Sequence, residues 1–309
     1  MTTRQPRATG PARGGAGLTL AVLSAATFGI SGTFGSSLIA AGWSPAAAVI
    51  ARIAVAAVIL TIPALLQLRG RWGLLRRGAG QAAAYGLVAV AGCQLFYFSA
   101  IQRIPVGVAL LLEYLGVVLV LNLAGSAHVN PVGVIWGLLA AVGLAVYFLL
   151  SAAERAEPLP PIVMAWAAMC TGAAALAVLG WLGLLRISYR ADDVVFLGHR
   201  VSWIVPVLGL SLVAAVIAYV AGIGAARRLG AKLASFIGLA EVLFAIAFAW
   251  LLLGQLPSPV QFAGGVFILA GVACVRVDEL RHVPATEPAP RAAGPASTQV
   301  LASAPGARD

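Results

Sequence analysis

Apolar stretches of about 20 residues recur along most of this 309-residue chain, and they restrict its fold more than any other feature. Each is long enough for one helix to cross a hydrocarbon layer of roughly 30 Å. Because lipid offers no water to the peptide groups, a stretch that crosses must make its own backbone hydrogen bonds as a helix. Hydrophobic residues make up 61% of the chain and charged residues 10%, which excludes an ordinary soluble domain. The sequence therefore predicts an all-α integral membrane protein, a polytopic helical bundle.

The apolar stretches predict about nine transmembrane helices. These are expected over 17–41, 46–66, 80–101, 105–125, 131–150, 162–184, 202–224, 232–253 and 259–275. The longest connection, 186–201, is predicted to be a solvated loop. A disordered basic tail over 1–16 and a disordered C-terminal tail over 277–309 are also predicted, because both segments are poor in large apolar residues.

Part of the sequence recurs at a constant offset of 125 residues. Leu-Val-Ala at 87–89 returns at 212–214, and Arg103 at the end of one predicted helix returns as Arg228 at the end of another. Many membrane transporters consist of two such repeats, which move against each other around a central site. The recurrence therefore predicts two structurally related halves.

Several short motifs resemble those of the EamA branch of the drug/metabolite transporter superfamily. They are Glu-Tyr-Leu-Gly at 113–116, Ala-Arg-Arg-Leu-Gly at 226–230, Leu-Ala-Glu-Val at 239–242, Trp-Leu-Leu-Leu-Gly at 250–254, and the glycines between 264 and 271. Their order and spacing extend the resemblance from about residue 17 to residue 276. The resemblance implies two EamA-like repeats of five helices each, in inverted orientation, and a transport function.

The chain departs from this pattern because one of the usual ten helices is missing near 117–131. In one reading, 17–124 is the first repeat, truncated to about four helices, and 131–276 is the second repeat with five. In the other reading, the helix that begins at Pro131 closes the first repeat. We prefer the first reading, because the proline-rich start of the next helix at 159–161 resembles the start of the second predicted helix.

Arginine and lysine in short connections predict the orientation, since these residues concentrate on the cytoplasmic side. The basic N-terminal tail and the connection with four arginines at 69–77 both fall inside. A multi-pass protein of the inner (plasma) membrane with a cytoplasmic N-terminus is therefore expected. Nine crossings would put Arg227, Arg228 and Lys232 outside, whereas a tenth would return them to the cytoplasm. The charge pattern thus fits a ten-helix topology.

Three ionisable side chains fall within predicted spans, where a charge is costly and often functional. Glu113 and Glu241 lie three residues apart in the repeat frame, so they are expected on similar faces of equivalent helices. Either could couple transport to a proton, contact a cationic substrate, or join helices as a hydrogen-bonded carboxyl. Arg52 could bind an anionic group through its planar fork, pair with Glu113, or extend to the nearer membrane interface.

Other polar tips within the predicted spans are candidates to line a central pathway. They belong to Gln94, Tyr97, Tyr114, Tyr147, Trp166 and Tyr219. Gln94 and Tyr219 correspond at the repeat offset, which favours a place on the pathway for both. For the aromatic residues, an interface belt or ordinary helix packing is the alternative.

These features predict a transporter, and export in particular, of small metabolites, amino acids or drugs by alternating access of two repeats. The alternatives are a defective or non-transporting homologue that lacks a helix, and a membrane-embedded enzyme. The sequence offers an enzyme neither a nucleophile with a base nor acids at metal-ligand spacing, so no catalytic residue is assigned. No cofactor and no metal are expected. The expected partners are the bilayer and a small-molecule substrate, with a homodimer left open; nucleic acid is excluded because the arginines are scattered at helix ends.

Overall fold

The computed structural model describes residues 11–123, 130–153 and 158–256, together with Val266. This part of the chain is a bundle of long apolar helices with one short β-hairpin, which confirms the predicted fold class. Among these residues, six helices are long and apolar enough to cross a membrane. They are Gly15–Ala40, Pro45–Leu68, Trp72–Ile101, Pro131–Ala152, Pro161–Trp181 and Ile204–Gly238.

The elements follow one another without long connections. The α-helices are α1 (Pro11–Gly29), α2 (Ser31–Ala40), α3 (Pro45–Leu68), α4 (Trp72–Ala84), α5 (Cys93–Ile101), α6 (Val106–Leu123), α7 (Pro131–Ala152), α8 (Pro161–Trp181), α9 (Ile204–Leu208), α10 (Ala218–Gly238) and α11 (Ala240–Leu253). Two π-helical segments interrupt them, π1 (Tyr85–Gly92) between α4 and α5 and π2 (Gly209–Ile217) between α9 and α10. The strands are β1 (Val194–Phe196) and β2 (His199–Val201).

Several of these elements join into single spans. The pair α1 and α2 is one span, and α4, π1 and α5 form another. Gly230 has a φ of 81° and a ψ of 164°, so it breaks α10 and separates one span from the next. Each predicted span as far as 232–253 thus coincides with a helix, while the span predicted over 259–275 lies outside the described residues apart from Val266.

The chain ends differ from prediction at one point. Helix α1 begins at Pro11, inside the segment 1–16 that the sequence assigns to a disordered tail. A proline suits the first turn of a helix, because its fixed φ is helical and it lacks only an N–H that would have no partner there. Residues 1–10 and the predicted tail 277–309 lie outside the described residues.

Equivalent contacts relate the two halves. Gly17 near the start of α1 lies against 228–229, and Gly133 near the start of α7 lies against 103–104. At the repeat offset of 125, residues 103–104 correspond to 228–229. Helix α7 therefore packs on its neighbour as α1 does in the other half, which favours the reading in which α7 opens the second repeat.

The direction of α7 points the same way. Gly133 lies against Ile104, just before α6, and Gly137 lies against Leu112, one-third of the way along α6. Helix α7 therefore runs parallel to α6, although the two follow each other in the chain. Consecutive spans with a short connection normally run antiparallel, so this arrangement is the one expected where a crossing has been lost between them.

Basic side chains gather at one end of the bundle, which we call the basic face. Arg71 and Arg77 line a groove with Pro158, and Arg227 Nη1 donates a hydrogen bond to the Leu159 carbonyl. The contact of Gly17 with 228–229 places the start of α1 at this same end. The basic connections therefore share one face with the N-terminal end of α1, as a ten-helix topology requires.

The connection 186–201 covers the opposite end of the bundle and is more ordered than the predicted solvated loop. Its strands pair antiparallel around Leu197 (φ 54°) and Gly198 (φ 75°), both in the left-handed conformation of a two-residue hairpin turn. Phe196 stacks on Phe34 of α2 with ring centroids 5.0 Å apart. The hairpin forms because this apolar contact anchors it to the bundle.

Candidate functional site

A cavity lies between helices of both halves and encloses about 510 Å³ of empty space, including its opening. This lies within the range of roughly 300–1,000 Å³ common for small-molecule sites. Its polar lining residues are Ser24, Cys93, Gln94, Glu113 and Glu241. Its aromatic lining residues are Phe28, Tyr114, Tyr147, Phe148 and Tyr219. Such a mixture of an apolar wall and a few polar groups suits a small molecule.

The two intramembrane glutamates face this one cavity from opposite halves. Glu113 on α6 is 7% exposed, and its Oε1 accepts a hydrogen bond from Cys93 Sγ at 3.2 Å. Glu241 lies in the first turn of α11, and its Oε2 accepts a hydrogen bond from the Tyr114 hydroxyl at 2.8 Å. The two carboxyl groups are close enough to interact electrostatically. Adjacent residues of α6 thus serve both carboxyl groups.

Arg52 on α3 is fully buried and turned into the bundle. Its Nη1 donates hydrogen bonds to Ser31 Oγ at 3.0 Å and to Gln94 Oε1, and its Nη2 donates to the Ala214 carbonyl. Among the described residues its Nε has no hydrogen-bond partner. The Phe98 ring centroid lies 6.0 Å from Cζ. Neutral acceptors on three other helical segments therefore hold this guanidinium, which does not extend to the membrane interface.

The acceptor Ala214 belongs to π2 and has a counterpart in π1. Shifted by 125, the segment 85–92 becomes 210–217, within one residue of π2. Ala89, which corresponds to Ala214, accepts a hydrogen bond from the Tyr219 hydroxyl at 3.3 Å. In a π-helical turn the backbone bonds shift from i→i+4 to i→i+5, a distortion that is frequent at functional sites. Each half therefore presents one backbone oxygen of its π segment to a side chain of the other half.

Aromatic rings pack edge to face along one wall of the cavity. The Phe28 centroid lies 4.9 Å from that of Tyr219 and 6.0 Å from that of Tyr147. Tyr147 in turn contacts Phe148 at 4.9 Å. Pairs of this geometry contribute about 0.5–1.5 kcal/mol each beyond simple burial. The wall is therefore a rigid aromatic surface built from α1, α7 and α10.

The structure brings most of the predicted site residues together. Gln94, Glu113, Tyr114, Tyr147, Tyr219 and Glu241 all line the cavity, and Arg52 bonds to Gln94. The Tyr97 hydroxyl is buried without a hydrogen-bond partner among the described residues and lies against Gly32. Trp166 lies apart from the cavity, where its Nε1 donates to Thr61 Oγ1 at 3.1 Å and joins α8 to α3.

Three further residues at the site were not singled out from the sequence as functional. Cys93 reads as an apolar residue, Phe28 as part of an apolar span, and Ser31 as a small residue that lets helices approach. Only their positions in three dimensions give them polar or aromatic roles. The neighbouring Gln94, a polar residue within a span, is the one sequence signal that leads toward Cys93.

Comparisons with known proteins agree with this architecture. The sequence model of the EamA-like transporter family matches residues 15–126 and again residues 131–277. A solved crystal structure, described only as that of a protein, superposes with a TM-score of 0.56 and 17% identity over 86% of this chain and 98% of that chain. At that identity the likeness concerns the fold alone. No curated protein matches the chain.

Proposed function

The chain belongs to the EamA-like transporter family, and we propose that it exports a small molecule across the membrane by alternating access of its two halves. The observation that carries this proposal is the shared cavity, on which Glu113 of one half and Glu241 of the other both open. Metabolites, amino acids and drugs are the substrate classes that the family resemblance implies.

Alternating access requires the contacts between the halves to change. Arg52 bonds to Ala214 and Tyr219 bonds to Ala89, and each bond joins one half to the other. A rocking motion would exchange these bonds for others while the cavity opened first to one side and then to the other. Hydrogen bonds with neutral acceptors suit this role, because each contributes only about 0.5–2 kcal/mol in a membrane helix bundle.

Proton coupling is part of the proposal. A carboxyl group on such a cavity can take a proton from one side of the membrane and release it on the other. Glu113 and Glu241 are both placed for this, because each faces the cavity and each accepts a hydrogen bond from a neighbouring side chain. We propose that at least one of them must change its protonation state during each transport cycle.

The test is solute flux in liposomes that contain the full-length protein and carry a pH gradient. Glu113→Gln and Glu241→Gln are expected to lower proton-linked flux at least about tenfold, the effect of about 1.4 kcal/mol on a rate. Asp193→Asn, the same neutralisation at an exposed residue of the hairpin connection, is the control. Proton-linked flux equal to the parent in both glutamine variants would contradict the proposed coupling.

The parallel course of α6 and α7 favours a second function. A homologue that lacks one crossing could keep the cavity and bind a solute without moving it. In the same liposomes such a protein would bind its solute and give no flux, in the parent and in all variants alike. Flux in the parent would eliminate this alternative.

A further inference from the structure

We infer that the cavity between the two halves binds an organic cation, a molecule with an amine or quaternary ammonium group. This deepens the proposed function, on which it rests for the movement of the ligand but not for its binding. The inference depends on three features of the cavity: two acidic side chains, an aromatic wall, and a buried arginine that is set back from the lining.

The acidic side chains give the cavity a negative lining. Glu113 and Glu241 open on it from opposite helices, and they interact electrostatically with each other and with Arg52. With both carboxyl groups ionised, Arg52 balances one negative charge and leaves one unbalanced. A monovalent cation would balance the second, and a buried site is stable only when its charges are paired.

The aromatic wall supplies a second attraction for the same class of ligand. The rings of Phe28, Tyr147 and Tyr219 line the cavity within about 6 Å of one another, and Tyr114 holds Glu241 beside them. The face of an aromatic ring attracts a cation, and the attraction reaches about 2 kcal/mol where water is excluded. Carboxyl groups next to aromatic faces are the combination that recognises alkylammonium groups.

The position of Arg52 argues against an anionic ligand. Its side chain is not among the lining residues, and three hydrogen bonds turn its terminal nitrogens toward Ser31, Gln94 and Ala214. An incoming carboxylate or phosphate would meet the two glutamates before it met this guanidinium. The lining therefore repels an anion and attracts a cation.

The test is equilibrium binding to the full-length protein in dodecyl maltoside micelles, whose neutral sugar head groups do not attract cations. Choline is compared with 3,3-dimethyl-1-butanol, which has the same shape but a neutral carbon in place of the nitrogen. Choline is expected to bind at least roughly tenfold more tightly, because only it gains the carboxylate and ring-face interactions. Equal binding of the two compounds, or binding of neither, would overturn the inference, and this comparison needs no variant that might fail to fold.

Variants locate the site. Glu241→Gln and Phe28→Leu are expected to weaken choline binding roughly tenfold, since each removes one source of attraction. Phe96→Leu is the matched control, because Phe96 stacks on Trp136 away from the cavity lining. Choline binding that is unchanged in both cavity variants would place the cation elsewhere and overturn the assignment.

Flux separates this inference from the proposed function. Choline that binds but does not cross liposomes would support the cation site and contradict transport. Flux of a neutral or anionic solute, together with no choline binding, would support transport and overturn the cation site.

Discussion

Ala89 and Ala214 are equivalent residues of the two halves, and the carbonyl oxygen of each accepts a hydrogen bond from the opposite half. Tyr219 donates to Ala89 at 3.3 Å and Arg52 donates to Ala214. The backbone frame of the site is thus repeated, while the side chains that use it differ. A neutral phenol stands on one side and a guanidinium on the other, so the two halves cannot be interchanged during a transport cycle.

Arg52→Ala is expected to lower the free energy of unfolding by about 2–4 kcal/mol, because it removes hydrogen bonds to Ser31, Gln94 and Ala214 and leaves these acceptors buried. Thermal unfolding of the purified protein in micelles measures the effect. Arg69→Ala, the same change at an exposed position, is the control and is expected to alter stability little. Equal stability of the two variants would show that the Arg52 bonds contribute nothing.

Gly86→Ala is expected to destabilise the protein by about 1–3 kcal/mol, since a methyl group there would collide with the Ala168 carbonyl and with Thr171 Oγ1. Backbone cannot rotate out of the way as a side chain can, so π1 and α8 would have to separate. Gly80→Ala is the matched control, because nothing lies within 4 Å of its added carbon. This control should be neutral or slightly stabilising, and a loss as large as that of Gly86→Ala would refute the close approach.

Single cysteines test the sidedness of the bundle. In a background whose three native cysteines are replaced by serine, Arg76→Cys and Lys232→Cys are expected to react with a membrane-impermeant maleimide from the same side. Gln255→Cys, beyond the end of α11, is expected to react from the other side. Labelling in right-side-out and inverted vesicles measures this. If Lys232→Cys and Arg76→Cys reacted from opposite sides, the chain would cross the membrane as a plain count of its helices requires.

Ser44→Ala is expected to loosen the connection between α8 and the hairpin. The Ser44 hydroxyl oxygen accepts hydrogen bonds from Ala47 N at 3.2 Å and from Ser188 N at 3.0 Å, so it caps α3 and holds the connection at once. Loss of about 1 kcal/mol should raise trypsin cleavage within 186–200 about fivefold.

The control for this measurement is Ser202→Ala at the other end of the connection. Its hydroxyl accepts a longer bond of 3.4 Å from Ile204 N, so its loss should change cleavage little. Identical cleavage of the Ser44 variant and the parent would mean that the connection is held by other contacts.

The helical spans and the main polar residues could be predicted from the sequence, and for one reason. Lipid leaves an apolar backbone a single way to satisfy its peptide groups, and it makes each polar side chain within a span conspicuous. Glu113, Glu241 and Gln94 were found this way, and all three line the cavity. The repeat offset correctly paired 87–89 with 212–214, the segments where the π-helical distortions lie.

Other features have no signature along the chain. The same residues can form α-helical or π-helical turns, so the π segments could not be predicted. Leu197 takes a positive φ that its residue type does not favour, and the hairpin around it is decided by the contact of Phe196 with Phe34. The direction of α7 likewise follows from its packing against 103–104, which no local pattern reveals.

The matched π segments bear on the history of the chain. Two separate insertions would have had to fall within one residue of each other in unrelated helices, whereas a single event before gene duplication accounts for both at once. The distortion is therefore older than the fusion of the halves, and the ancestral unit already carried it when it worked as a pair of separate, oppositely inserted copies.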